Sequence, residues 1–183
     1  KNQLVVNMGT ATVANWHTIV FSSGWSLNGN SGTSPANNFI GTTDIAPVKF
    51  KVNNIKAGII DSTSYNTSVG FRTLDSVTTG TYNVAFGYKA LSSNKEGENN
   101  AAFGSNALRR NTTGYRNTAI GFVSMFSDTS GYDNTANGAY SLYSNLSGAA
   151  NAATGFAALY KNTTGISNTA TGAYSMYNNT IGE

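Results

Sequence analysis

Apolar and polar positions repeat every 17 residues over the C-terminal two-thirds of the chain. Seven units follow one another without an insertion, starting at Asn66, Asn83, Asn100, Asn117, Asn134, Asn151 and Asn168; the last stops at Glu183, one residue short. A gapless period of this kind predicts a solenoid-type stack. Within a unit, the segment N-x-A-x-G-x alternates with period 2. Small residues at positions three and five face one side, and bulkier ones at four and six face the other, as in Phe86/Tyr88, Ile120/Phe122 and Thr154/Phe156. That is a strand signature with one tight face. Ala-Leu pairs sit centrally, but Asn, Thr and Gly bracket them every few residues, which excludes a stable helix.

The fixed letters assign roles. Position one is always Asn, and position twelve is Asn in five units (Asn94, Asn111, Asn145, Asn162, Asn179). Coils stacked about 4.8 Å apart would align these amides into ladders, each side chain bonding to the next rung. Position five is always Gly (Gly70, Gly87, Gly104, Gly121, Gly138, Gly155, Gly172). Position fifteen is Gly as well, from Gly80 to Gly182, and is expected to turn the chain with φ > 0. Position three is Ala except for Ser68. Position nine is Leu or Met (Leu74, Leu91, Leu108, Met125, Leu142, Leu159, Met176) and predicts an apolar spine. Each coil is expected to hold two short strands and two turns.

Residues 1–65 lack the period and form a separate β-rich region, with the boundary near Tyr65. Short runs there, "QLVVNM", "HTIVFSS" and "NFIGTT", read as strands, "NGNSGTSPANN" (28–38) as a loop, and "VKFKVNNIKAGII" (48–60) as a hairpin around Asn53-Asn54. The fold class is therefore all-β: a repetitive stacked parallel β-roll or β-helix of seven 17-residue coils, preceded by a small β-rich region.

Seventeen residues per coil enclose a narrow core, and a face of Ala and Gly implies that another backbone comes close. A second copy of this chain about a symmetry axis is the simplest partner, which favours an intertwined homotrimer; a monomeric β-helix with a thin Ala/Gly/Leu core is the alternative. Position ten changes along the stack from Asp75, Ser92 and Arg109 to Phe126, Tyr143, Tyr160 and Tyr177. Position seven gains Tyr140 and Tyr174 where position six shrinks to Ala139 and Ala173. Two readings stand: packing compensation with stacked aromatic ladders, or an exposed stripe of Phe126, Tyr143, Tyr160, Tyr177, Tyr140 and Tyr174 that binds a surface or stacks on sugar rings.

Composition narrows the chemistry. Only 10% of residues are charged and the net charge of +3 is scattered, which argues against a nucleic-acid partner. No apolar run reaches the roughly 20 residues of a membrane span, so no membrane insertion is expected. With no cysteine and a single histidine, His17, no catalytic or metal site and no cofactor are expected. The carboxylates Asp44, Asp61, Asp75, Glu96, Glu98, Asp128 and Asp133 are dispersed, without a repeated pair. The chain starts at Lys1 without a secretory signal, as expected of a mature or excised piece.

"NTAIGF", "NAAFGSNAL" and "NVAFGYKAL" resemble the N-x-A-x-G repeats of trimeric phage-type tail fibres and, more distantly, the head repeats of trimeric autotransporter adhesins. "WSLNGNSGTSPANNFIGTTDIAPVKFKVNN" (25–54) is similar to the segment that precedes such repeats in tail-fibre proteins of Bacteroidetes-like bacteria and their phages. The resemblance implies a homotrimeric, extracellular, structural and adhesive fibre module, in a virion tail or cell-surface filament, that attaches to a cell-surface receptor such as a glycan. Members of this kind often end in a self-cleaving intramolecular chaperone, which this chain lacks, so it would be a released or excised shaft. A carbohydrate-binding module using the Tyr stripe and a tail-spike depolymerase are the alternatives. An ice-binding solenoid is disfavoured, because Thr112-Thr113 and Thr163-Thr164 flank turn glycines instead of alternating on strands.

Overall fold

A computed structural model describes residues 4–7, 16–19 and 39–182. The chain divides into compact units between Gly41 and Thr42. In the first unit, β1 (Leu4–Asn7) and β2 (Trp16–Ile19) pair antiparallel; β1 lies within the run "QLVVNM", and β2 overlaps the start of "HTIVFSS", beginning one residue earlier. The loop at 28–38, and residues 25–38 of the stretch at 25–54 that carries the upstream resemblance, lie outside the described residues. "NFIGTT" forms no strand over its described residues 39–43.

The second unit is a β-solenoid. The run at 48–60 forms the expected hairpin, β3 (Val48–Val52) and β4 (Ile55–Asp61), turning through Asn53 and Asn54 at φ 48° and 60°. Strand β4 then pairs antiparallel with β5 (Asn66–Val69), so the hairpin continues the sheet of the repeats. Six short strands follow, all parallel and in 17-residue register: β6 (Val84–Phe86), β7 (Ala101–Phe103), β8 (Thr118–Ile120), β9 (Thr135–Asn137), β10 (Ala152–Thr154) and β11 (Thr169–Thr171). Seven strands, one per repeat, give six stacking steps and about six turns. Among the described residues there is no helix.

Each coil has one three- or four-residue strand, not the two expected. The remainder curls into consecutive turns: Ala90 N donates to Gly87 O, Ser92 N to Lys89 O and Asn94 N to Leu91 O. The cause lies at positions seven, nine and seventeen. Lys89, Leu91 and Asn99 have φ of 55°, 49° and 56°, and their equivalents in the other coils follow suit. Left-handed backbone is unfavourable for such side chains. Here the cost is offset by the ladder it permits, because amides on alternate residues point up and down the stack. Leu91 N reaches Ala107 O in the next coil at 3.0 Å, and Lys89 N reaches Phe71 O in the previous one at 3.0 Å.

The glycines divide the work differently from expectation. Positive φ belongs to position five (Gly121, φ 130°), whereas position fifteen is not left-handed. At position five, a Cβ on Gly121 would lie 2.7 Å from the Gly138 carbonyl carbon one coil on; at position fifteen, a Cβ on Gly131 would meet Gly148 O at 2.7 Å and the Asp128 carboxylate. The backbone that comes close is thus the chain's own next coil, and the small residues are accounted for without a second copy.

The core is a thin column. The position-three alanines, from Ala85 to Ala170, and the spine Leu74, Leu91, Leu108, Met125, Leu142 and Leu159 are all but completely shielded. Met176, in the last coil, is 43% exposed because no rung covers it. Asn83, Asn100, Asn117, Asn134, Asn151 and Asn168 are buried, and all but Asn168, which has no further rung to accept from, bond in three directions. Asn117 Oδ1 accepts from the backbone N of Asn134 (3.1 Å), its own N donates to Asn100 Oδ1 (3.0 Å), and Nδ2 donates to Gly131 O (2.7 Å). The position-one ladder therefore joins side chain to backbone between rungs, with amide-to-amide bonds added at several of them, such as Asn134 Nδ2 to Asn117 Oδ1 at 3.1 Å. At the N-terminal end the hairpin supplies partners for the first coil: Gly70 N donates to Ala57 O, Arg72 N to Lys56 O, and Lys56 Nζ to Leu74 O at 2.6 Å.

Candidate functional site

With Ala, Leu and Asn inside, the letters that vary between repeats point outward, and two exposed features arise from them. The first is aromatic. One position-ten residue per coil, held in register by the ladder, forces like rings over one another. Phe126 stacks on Tyr143 with centroids 5.4 Å apart, Tyr143 on Tyr160 at 5.0 Å and Tyr160 on Tyr177 at 5.0 Å, all within 9° of parallel. Arg109 and Arg110 of the third coil lie over the Phe126 ring at 5.6 and 5.1 Å, in cation–π contact.

Beside this ladder runs a second column that explains the exchange of bulk between positions six and seven. Each coil from the fourth on offers one ring, from position six (Phe122, Phe156) or position seven (Tyr140, Tyr174). The alternation offsets successive rings sideways, so they meet edge to face: Phe122–Tyr140 at 78°, Tyr140–Phe156 at 66° and Phe156–Tyr174 at 70°. Edge-to-face contact is favourable for rings that cannot stack offset. Tyr140 and Tyr174 also touch the first ladder, at 5.9 Å from Tyr143 and 5.8 Å from Tyr177. The structure thus brings all six candidate surface residues together.

Their geometry sets what they can bind. Within the ladder, both faces of Tyr143 and of Tyr160 are taken up by neighbouring rings, which leaves edges and hydroxyls for solvent. Burial, and then the neighbouring tyrosines, push the Tyr160 phenol above its usual value, so it remains a neutral donor and acceptor. Stacked on both faces, these rings cannot serve as a stacking surface for sugars. A hollow of about 230 Å³, bounded by Tyr140, Phe156, Ala157, Tyr160, Tyr174 and Tyr177, is also lined by ring surface in this region. It is smaller than a typical drug-sized pocket and matches a ligand the size of one sugar ring.

The second feature is the outer face of the nine-stranded sheet. Register places Phe50, Val69, Phe86, Phe103 and Ile120 in one column and Ile60 in the next. These six are 38–52% exposed. Beyond Ile120 the column turns polar with Asn137, Thr154 and Thr171, also exposed. Along the nine strands the column carries five apolar side chains, one glycine (Gly58) and three polar side chains at its C-terminal end.

Several carboxylates have structural partners. Asp61 accepts from the backbone and hydroxyls of Thr63 and Ser64, which hold it at about 2 against an upward push from burial. Asp133 pairs with Arg116 through two bonds at 2.6 and 2.7 Å. Asp128 sits inside the position-twelve ladder, a placement that a reading of dispersed carboxylates missed. Its signal was present in the sequence, since it is an Asp where five other units write Asn. Among the described residues no cluster of metal-ligating side chains occurs. No family model matches the chain, and neither does any curated protein or solved structure.

Proposed function

We propose that the chain is a structural and adhesive fibre module, not an enzyme, that works outside the cell as a homotrimer and attaches its particle or filament to a cell surface. The observation that carries this reading is the exposed apolar column on the outer face of the sheet. Exposed apolar surface that runs on from strand to strand marks an interaction site, and a stack with a fixed 17-residue register presents the same columns on every copy. Three copies about an axis parallel to the stack would bury Phe86, Phe103 and Ile120 against their equivalents. The rigid in-register ladder suits a load-bearing shaft. The resemblance to trimeric tail fibres supplies the setting, a virion tail or a cell-surface filament.

The test is retention on cells. Labelled protein should bind a susceptible bacterial surface saturably and be displaced by unlabelled protein. Absence of displaceable binding across a broad panel of cells would overturn the adhesive role. The hollow beside Tyr160 favours a second reading, a carbohydrate-binding module. It predicts glycan-array binding that Tyr160→Ala weakens, and binding unaffected by that change would remove it.

A further inference from the structure

Position twelve is Val77 in the first coil; the ladder that starts at Asn94 follows one rule with one exception. In each rung the Asn Nδ2 donates backward to Oδ1 of the previous rung: Asn111 to Asn94 at 2.8 Å, Asn162 to Asn145 at 3.0 Å and Asn179 to Asn162 at 3.2 Å. Asp128 occupies this column in the fourth coil and has no amide nitrogen. Toward the fifth coil nothing is lost, because its Oδ1 accepts from Asn145 Nδ2 and from Gly131 N, both at 3.0 Å. Toward the third coil two oxygens are left. Asn111 Oδ1 is buried with no donor, and so is Asp128 Oδ2; because Asp128 Oδ1 takes the accepting role toward Asn145, Oδ2 falls to the role that the donating nitrogen has in the other rungs. Two acceptors with no hydrogen between them repel, and each buried orphan costs stability.

One proton resolves both. We propose that Asp128 is held as the neutral acid in the folded solenoid, with its Oδ2–H donated to Asn111 Oδ1. Loss of that proton breaks the ladder between the third and fourth coils and makes the stack sensitive to pH.

The surroundings agree. Asp128 is fully shielded. Burial pushes its carboxyl up from 3.8 to about 7, against the bonds from Gly131 and Asn145, and no charged group acts on it. The adjacent rungs bring the uncharged amides of Asn111 and Asn145. The cations of the preceding coil, Arg109 and Arg110, lie over Phe126, and Asp133 of its own coil is paired with Arg116.

The direction follows from proton linkage. The folded carboxyl holds its proton to higher pH than the unfolded one, so between about pH 4 and pH 7 the unfolded chain binds fewer protons. Stability contributed by Asp128 is therefore full below about pH 4, declines as pH rises and levels off above 7. A group shifted this way changes the folding equilibrium about a hundredfold between pH 5 and pH 8.

Chemical denaturation of the wild-type protein and of Asp128→Asn at pH 5 and pH 8 tests this. The Asn variant restores the missing donor. It should lack the hundredfold loss that the wild type shows and should be the more stable of the two at pH 8. Parallel pH dependence of the two proteins would overturn the proposal. Independently of any variant, the Asp128 carboxyl carbon in the wild type should titrate near pH 7 by NMR. A carboxyl already ionised at pH 5 would overturn it, as would stability at pH 8 that rises with added calcium or sodium, which would make the paired oxygens a cation site instead.

Discussion

Three glycines separate the two reasons a position can exclude a side chain. Gly121 has φ 130°, and a Cβ there would sit 2.7, 2.8 and 2.9 Å from Gly138 C, Gly138 O and Ala139 N. Gly172 has φ 114° and nothing within 4 Å. Gly131 is not left-handed, yet its Cβ would meet Gly148 O at 2.7 Å and Asn145 Nδ2 at 2.8 Å. Gly172→Ala therefore reports backbone strain alone, about 1–3 kcal/mol, and Gly131→Ala reports crowding alone. Gly121→Ala combines both. Bringing its contacts to ordinary distance opens the rung by about 0.7 Å. That strains the bonds across this step, from Thr118 N to Asn134 O and from Gly138 N to Ile120 O, both 2.8 Å, at about 1 kcal/mol each. A total of about 3–5 kcal/mol is expected, against a typical domain stability of roughly 5–15 kcal/mol. Denaturant unfolding followed by circular dichroism measures the three costs. Because a terminal coil can fray by itself, amide exchange in β10 and β11 is read alongside for Gly172→Ala. Equal losses for Gly121→Ala and Gly172→Ala, or a harmless Gly131→Ala, would refute the claim that neighbouring coils enforce these glycines.

The remaining predictions concern the core. Leu108→Ala, in the middle of the spine, should cost about 2–5 kcal/mol, while Met176→Ala in the uncovered last coil should cost well under 1 kcal/mol; thermal denaturation compares them. Ser68 replaces Ala at position three, and its hydroxyl is buried without a partner. Ser68→Ala should therefore raise stability by about 1 kcal/mol in urea unfolding.

The stack itself was legible because its causes are periodic. Asn117, Met125 and Ala119 repeat at fixed spacing, and each does what its residue type does inside a solenoid. The aromatic columns were half legible. The exchange of bulk between Ala139/Tyr140 and Phe156/Ala157 could be read as compensation, but the edge-to-face offset depends on where two adjacent positions point, and that needs coordinates. Positions seven, nine and seventeen were hidden because Leu91, Arg116 and Tyr140 carry no mark of left-handed backbone; the inter-coil hydrogen bonds impose it. For the same reason glycine at position fifteen was misread. Its letter is the same as at position five, but one glycine answers a dihedral angle and the other a carbonyl oxygen. Asp128 stood out only once the column of amides around it was known to be buried and continuous.

In the proposed trimer the exposed apolar columns join copies of the chain into a fibre unit, since the chain's own coils already fill its core. Light scattering on the purified, folded protein tests this most directly. The predicted result is a mass of three chains that falls to one on Phe103→Lys, with the solenoid's circular dichroism retained. A wild-type protein that is folded and sediments as a single chain at every concentration tested would contradict it.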